Sequence, residues 1–256
     1  MSDLLRRVQA RFLKELFHSS RGGFVLKGGM AISALFGPSR STRDVDLDFP
    51  SLQKRTAESL HNQVNRALNQ ALRGTPVTQM QVHEPGKGEL SPKWKVSGLG
   101  PTGEPFNMRV EVSRRPAPPG IVKQATISGL ATYGLGRYYV DLYDERTLVA
   151  MKLAALLGRT ATRDVCDLDL LLPTHVPDHV LIQWALEQSA VSADAASLAV
   201  HDKLASMDWT LFESQMIADP VLTGRMNPQA WQEMRDRVDE ALSTMLDAHA
   251  LRGDAP

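Results

Sequence analysis

The sequence holds a single cysteine, Cys166, so it forms no internal disulfide and no multi-cysteine zinc site. It contains no run of 18 apolar residues, which excludes an ordinary membrane-spanning helix. The first residues, MSDLLRRVQARF, are charged and amphipathic rather than a secretion signal, so a cytoplasmic protein without a membrane partner is expected. Walker loops, Rossmann glycine patterns, G-x-S-x-G elbows and a Ser-His-Asp order are all missing. His175 and His179 are four apart, but Pro173 and Pro177 interrupt the helix that a metal pair would need. Net charge is missing too, because 29 Lys and Arg balance 29 Asp and Glu. That balance hides an asymmetry. Residues 1–137 carry 20 basic against 10 acidic residues, and residues 138–256 carry 9 against 19. The basic half could meet a polyanion, or the two halves could simply offset each other.

What is present is an ordinary globular composition, 43% hydrophobic and 23% charged over 256 residues. Leu4, Leu5, Val8, Phe12, Leu16 and Phe17 recur at helical spacing over 3–18, and Met30, Ala31, Ala34 and Leu35 suggest a short helix. Alternation predicts a strand over 44–49, and helical periodicity returns over 52–72. Residues 75–115 read as short strands at 77–82, 94–96 and 106–112, split by turns such as EPGKGE and GPTGEP. One or two further strands are expected within 121–142. From Asp144 onward the chain reads helical, with helices over 148–156, from about 162 to Pro173, and near 177–189, 192–206 and 228–250. The fold class is therefore α/β (α+β). An N-terminal part with a mixed or antiparallel sheet spans 1–143, and an all-helical C-terminal domain spans 144–256.

The chemistry concentrates in FVLKGGMAISALFGPSRSTRDVDLDF, residues 24–49. Gly28 and Gly29 open a helix whose free N–H groups and positive dipole end suit phosphate oxygens. After fourteen intervening residues come Asp44 and Asp46, two apart on a strand, with both carboxylates on one face. Hard divalent ions such as Mg²⁺ take these oxygen ligands together with substrate phosphates, which points to nucleotidyl or phosphoryl transfer. Asp48 lies on the same face about 6–7 Å further along; it could join the site, but reads rather as a surface acid or an arginine partner. Glu111 is the acid of the alternating strand 106–113 and is the candidate third ligand, or else the partner of Arg109 or of an exposed lysine. Arg40, Ser41, Thr42 and Arg43 precede the aspartates, either as phosphate contacts or as plain loop surface.

The second block is LVAMKLAALLGRTATRDVCDLDLL. Lys152 stands in an apolar helix, where its ammonium must reach water or a fixed anion. Arg159, Arg163, Asp164 and Asp167 follow. On one reading Lys152 grips a triphosphate, Asp167 orients it, and Arg159 or Arg163 adds phosphate or RNA contacts. On the other, these residues form an ion-pair network between packed helices.

Together the two blocks resemble the AbiEii toxin nucleotidyltransferase family, within the DNA polymerase β-like nucleotidyltransferase superfamily. The resemblance implies a minimal nucleotidyltransferase domain, a helical C-terminal domain, and an active site in the cleft between them. It carries over Gly28, Gly29, Asp44, Asp46, Lys152 and Asp167, with Arg163 and Asp164 as the RD pair. Met30 departs from the Thr or Ser often found there, which removes a hydroxyl but leaves the backbone donors. It further implies a toxin of a type IV-like toxin–antitoxin or abortive-infection system. The MenT-like branch moves a nucleotide from an NTP to the tRNA 3′ end, and the usual partner is a winged-helix antitoxin. The expected machinery is two Mg²⁺ ions on Asp44, Asp46 and Glu111, with phosphates on Gly28, Gly29, Arg40, Thr42, Lys152 and Arg163. Rival readings are nucleotidylation of a protein or small molecule, and a non-catalytic nucleotide-binding or inhibitory module.

Overall fold

A computed structural model describes residues 3–20, 23–37, 42–49, 57–86, 89–126, 135–216, 219, 221–222 and 224–253. The chain divides into two compact units, one of Met1–Ala117 with Val122–Tyr143, the other of Pro118–Ile121 with Asp144–Pro256.

The first unit is built on a seven-stranded sheet among the described residues. Its strands are β1 (Val25–Lys27), β2 (Asp44–Asp48), β3 (Thr78–His83), β4 (Lys93–Leu99), β5 (Pro105–Ser113), β6 (Val122–Thr126) and β7 (Tyr139–Tyr143), in the order β3-β4-β5-β2-β1-β7-β6. The sheet is mixed, as expected. β2 pairs parallel with β5 and antiparallel with β1, and β1 runs parallel to β7. Alternation sets the faces. Val45, Leu47, Val110, Val112, Trp94 and Val96 are buried on one side. Helices α1 (Asp3–Ser20) and α3 (Ala57–Leu72) pack on each other, and α3 reaches that side. There the Trp94 indole donates to Asn65 Oδ1 at 2.7 Å and its ring meets His61. Helix α2 (Gly28–Phe36) links β1 to β2 and packs against both.

In the second unit α4 (Glu145–Gly158) packs against α5 (Thr162–Leu171), α6 (His179–Ser189) and α7 (Ala193–Ala205). The long α9 (Pro228–Gly253) covers α5, α7 and the short α8 (Trp209–Met216). Asp144 caps α4, its carboxylate accepting from Thr147 N at 3.0 Å, and Asp178 caps α6 in the same way. Two elements were not expected from the sequence. β1 is three residues long and α8 eight, both too short to display a period. Among the described residues no helix is long and apolar enough to cross a membrane.

Candidate active site

The diglycine and the aspartates meet directly. Gly28 is the first residue of α2 and adopts φ +66°. A Cβ at Gly28 would lie 2.5 Å from Asp46 Oδ2, so only glycine admits the carboxylate there. Lys27 holds the N-cap position without a side-chain cap bond, so no side chain at that position closes the helix start to an anion. The register explains the meeting: Lys27 pairs across the sheet with Asp46, which brings residue 28 over the next carboxylate-bearing face.

On β2, Asp44 and Asp46 are half-buried while Val45 and Leu47 are buried, as alternation requires. β5 lies alongside with Asp44 opposite Arg109 and Asp46 opposite Glu111. Residues opposite each other in register share a face. Asp44, Asp46 and Glu111 therefore stand on one surface, where the sequence placed them. The carboxylates of Asp44 and Glu111 are held by cations. Arg109 Nη2 donates to Asp44 Oδ2, and Lys93 Nζ lies 3.2 Å from Glu111 Oε2. In this arrangement no three acidic, His or Cys side chains among the described residues converge as a metal cage. The donor set still suits a hard divalent ion: two aspartates two residues apart, a glutamate in register, and charges that already draw Arg109 and Lys93 to them. Glu111 is thus both the in-register acid and the partner of an exposed lysine.

Asp48 is neither a surface acid nor an arginine partner. It is buried, 3% exposed, and is engaged by Lys27 Nζ and by the Tyr143 hydroxyl, which donates at 2.9 Å. Burial first, then the Asp48 charge, pushes the Tyr143 hydroxyl far above its ordinary range, so it stays a donor at neutral pH. Asp48 binds β1, β2 and β7 together, buried and engaged at the inner end of the carboxylate face. Sequence reasoning missed Lys27 and Tyr143. The available signal was a lysine directly before the diglycine, beside a chain that would bury its neighbours. Thr42 is buried, and its hydroxyl donates to the Asp44 carbonyl at 3.2 Å, so it shapes the entry to β2. Arg40 and Ser41 lie outside the described residues.

In the second unit, Lys152 Nζ lies 2.9 Å from Asp164 and 2.6 Å from Asp167, with all three side chains 8% exposed or less. Arg159 adds two bonds to Asp164. Burial alone would raise the Asp164 carboxyl, but Lys152 and Arg159 outweigh it and hold it at about 2. The ion-pair network between α4 and α5 is therefore real, and Asp164, rather than Arg163, closes it. Arg163 makes no ion pair among the described residues.

A family profile described as nucleotidyl transferase AbiEii toxin, type IV toxin–antitoxin system, matches residues 11–247. The chain belongs to the AbiEii nucleotidyltransferase toxin family. It is accordingly a nucleotidyltransferase of a type IV toxin–antitoxin system, and membership implies an NTP substrate, a divalent metal and an antitoxin. Two solved structures share the fold. JHP933 from Helicobacter pylori has a TM-score of 0.58 at 18% identity, over 99% of this chain and 98% of that one. MenT4, the nucleotidyltransferase toxin Rv2826c from Mycobacterium tuberculosis H37Rv, has a TM-score of 0.57 at 20% identity, over 97% and 86%. No curated protein matches the AbiEii chain in sequence.

Proposed function

We propose that this AbiEii toxin transfers a nucleotidyl group from an NTP to the 3′-hydroxyl of an RNA, the acceptor being the 3′ end of tRNA. The observation that carries the reading is the Asp46 carboxylate seated against Gly28 at the start of α2. It sets an anion-binding helix end beside a carboxylate pair, which is what a triphosphate with its metal requires. Asp44, Asp46 and Glu111 would hold two Mg²⁺ ions, which when bound supply positive charge to the attacking hydroxyl and the departing pyrophosphate.

The chain's own residues do the positioning. The first-turn N–H groups of α2 receive phosphate oxygens, and Gly28 keeps side-chain atoms out of their way. Arg109 and Lys93 hold the carboxylates in orientation, and the Lys27–Asp48–Tyr143 cluster fixes the strands beneath them. In the reaction the 3′-oxygen bonds to the α-phosphorus, the bond from that phosphorus to pyrophosphate breaks, and the hydroxyl proton passes to water. Lys152 of α4 is proposed as a phosphate cation, with Arg163 of α5 as a second one and Asp167 as the orienting acid. The antitoxin is proposed to be a separate winged-helix protein.

Purified protein incubated with tRNA, cell protein and each α-labelled NTP tests the proposal. Label is expected on RNA, at the 3′ end, and lost in Asp46→Ala. Label on protein or on a small molecule instead would replace RNA as the acceptor.

A further inference from the structure

The carboxylate face does not stop at β5. Register carries it on: Arg109 of β5 stands opposite Lys95 of β4, and Lys95 stands opposite His83 of β3. Lys93 of β4 lies beside this row, opposite Glu111. In-register neighbours share a face, so Asp44, Arg109, Lys95 and His83 form one row across four strands. At the usual strand spacing that row is about 14 Å long. Its charge is ordered. Asp44 and Asp46 lie at the β2 end, while outward from them come Arg109, Lys93 and Lys95.

The row is also open. All six residues of β3 are exposed, and β3 is the edge of the sheet. The side chains of Lys93 and Arg109 are 45% and 39% exposed. Lys95 is exposed and has no acidic partner among the described residues. The opposite side of the same strands is the apolar layer of Trp94, Val96 and Val110, so the cations are all turned to one surface. A line of cations leading away from a carboxylate pair suits a chain of phosphates whose end must reach that pair.

We infer that the exposed face of β5, β4 and β3 is the acceptor-binding surface, with the phosphodiester backbone of the RNA running over Arg109, Lys93, Lys95 and His83 towards Asp44 and Asp46. This rests on RNA being the acceptor. Contacts of this kind position the acceptor without reading its sequence, so binding is salt-sensitive and tolerant of base identity.

The test uses the full chain, fluorescein-labelled tRNA and anisotropy between 50 and 200 mM salt. Lys95→Gln, and Lys95→Gln combined with His83→Gln, are compared with Arg73→Gln, a basic residue in the turn after α3. The Lys95 variants are expected to bind tRNA more weakly. Each lost phosphate contact flattens the plot of log affinity against log salt by about 0.7–0.9, so roughly threefold less affinity is lost across that salt range. The KM for NTP stays unchanged, which also shows that the variants are folded. Unchanged affinity and slope in both Lys95 variants, with wild type labelling RNA normally, would overturn the inference and leave the RNA reading standing. Loss of antitoxin neutralisation with RNA affinity intact would assign the face to a protein partner and overturn it too. Conversely, wild type that binds tRNA through this row but labels only protein would sink the RNA-acceptor reading and with it the assignment of this face to the acceptor, leaving an RNA-binding face alone.

Discussion

The Asp46 carboxylate occupies the space that a side chain on Gly28 would need: a Cβ there would meet Oδ2 at 2.5 Å. Gly28→Ala therefore faces two penalties. The left-handed φ of +66° costs about 1–2 kcal/mol for an alanine, and the methyl displaces the carboxylate. Gly37, at the other end of α2, shares a positive φ of +81° but has nothing within 4 Å of a Cβ. With ψ 178°, Gly37 sits in a region open essentially to glycine. Gly37→Ala should therefore cost at least as much stability, about 1–3 kcal/mol, and leave nucleotidyl transfer intact. Gly28→Ala, by contrast, should lower kcat/KM by at least about tenfold beyond any loss of folded protein. Thermal melts paired with initial rates separate the two.

Asp48 sits two residues beyond Asp46 yet serves the fold, so its variants should behave as stability variants. Lys27→Met leaves a buried carboxylate without its ammonium and should cost about 3 kcal/mol. Tyr143→Phe, which removes one bond to a charged oxygen, should cost about 1.5–3 kcal/mol. Urea denaturation measures both. In Tyr143→Phe, the dependence of rate on Mg²⁺ concentration should match wild type, because Asp48 is not counted among the metal ligands.

The Lys152 network makes a pH prediction. The Asp164 carboxyl is held at about 2 against an ordinary 3.8, so the unfolded chain takes up the proton first as pH falls. A depressed carboxyl contributes stability that is fully present above about pH 4 and is lost as pH falls towards 2. The contribution is about 2 kcal/mol. Asp164→Asn should be less stable at pH 7 and should lose less further stability between pH 4 and 2 than wild type does. Lys152→Met removes the cation shared by Asp164 and Asp167 and should cost about 3–5 kcal/mol at neutral pH.

The sequence disclosed what is periodic or long. Helices α1, α3 to α7 and α9 show their apolar faces, and the alternation of β2 and β5 gave the face of Asp44, Asp46 and Glu111 before any register was known. The pairing across strands was hidden, since neither Arg109 opposite Asp44 nor Lys27 opposite Asp46 follows from spacing along the chain. Asp48 illustrates why. On β2 alone it is a third acid on a polar face, and only the arrival of Tyr143 and Lys27 from β7 and β1 turns it into a buried partner. Lys152 shows the reverse: a lysine in an apolar helix left water or a fixed anion as its options, and two buried carboxylates hold it.

The central claim is that the carboxylates seated beside Gly28 drive nucleotidyl transfer to RNA. The most direct measurement is transfer of label from an α-labelled NTP to tRNA, with Mg²⁺ and with chelator, for wild type and for Asp46→Asn. The account predicts 3′-end labelling that requires the metal and falls by at least about a hundredfold in Asp46→Asn while the variant stays folded. Undiminished labelling by folded Asp46→Asn, or no label on RNA from any of the four nucleotides, would contradict it.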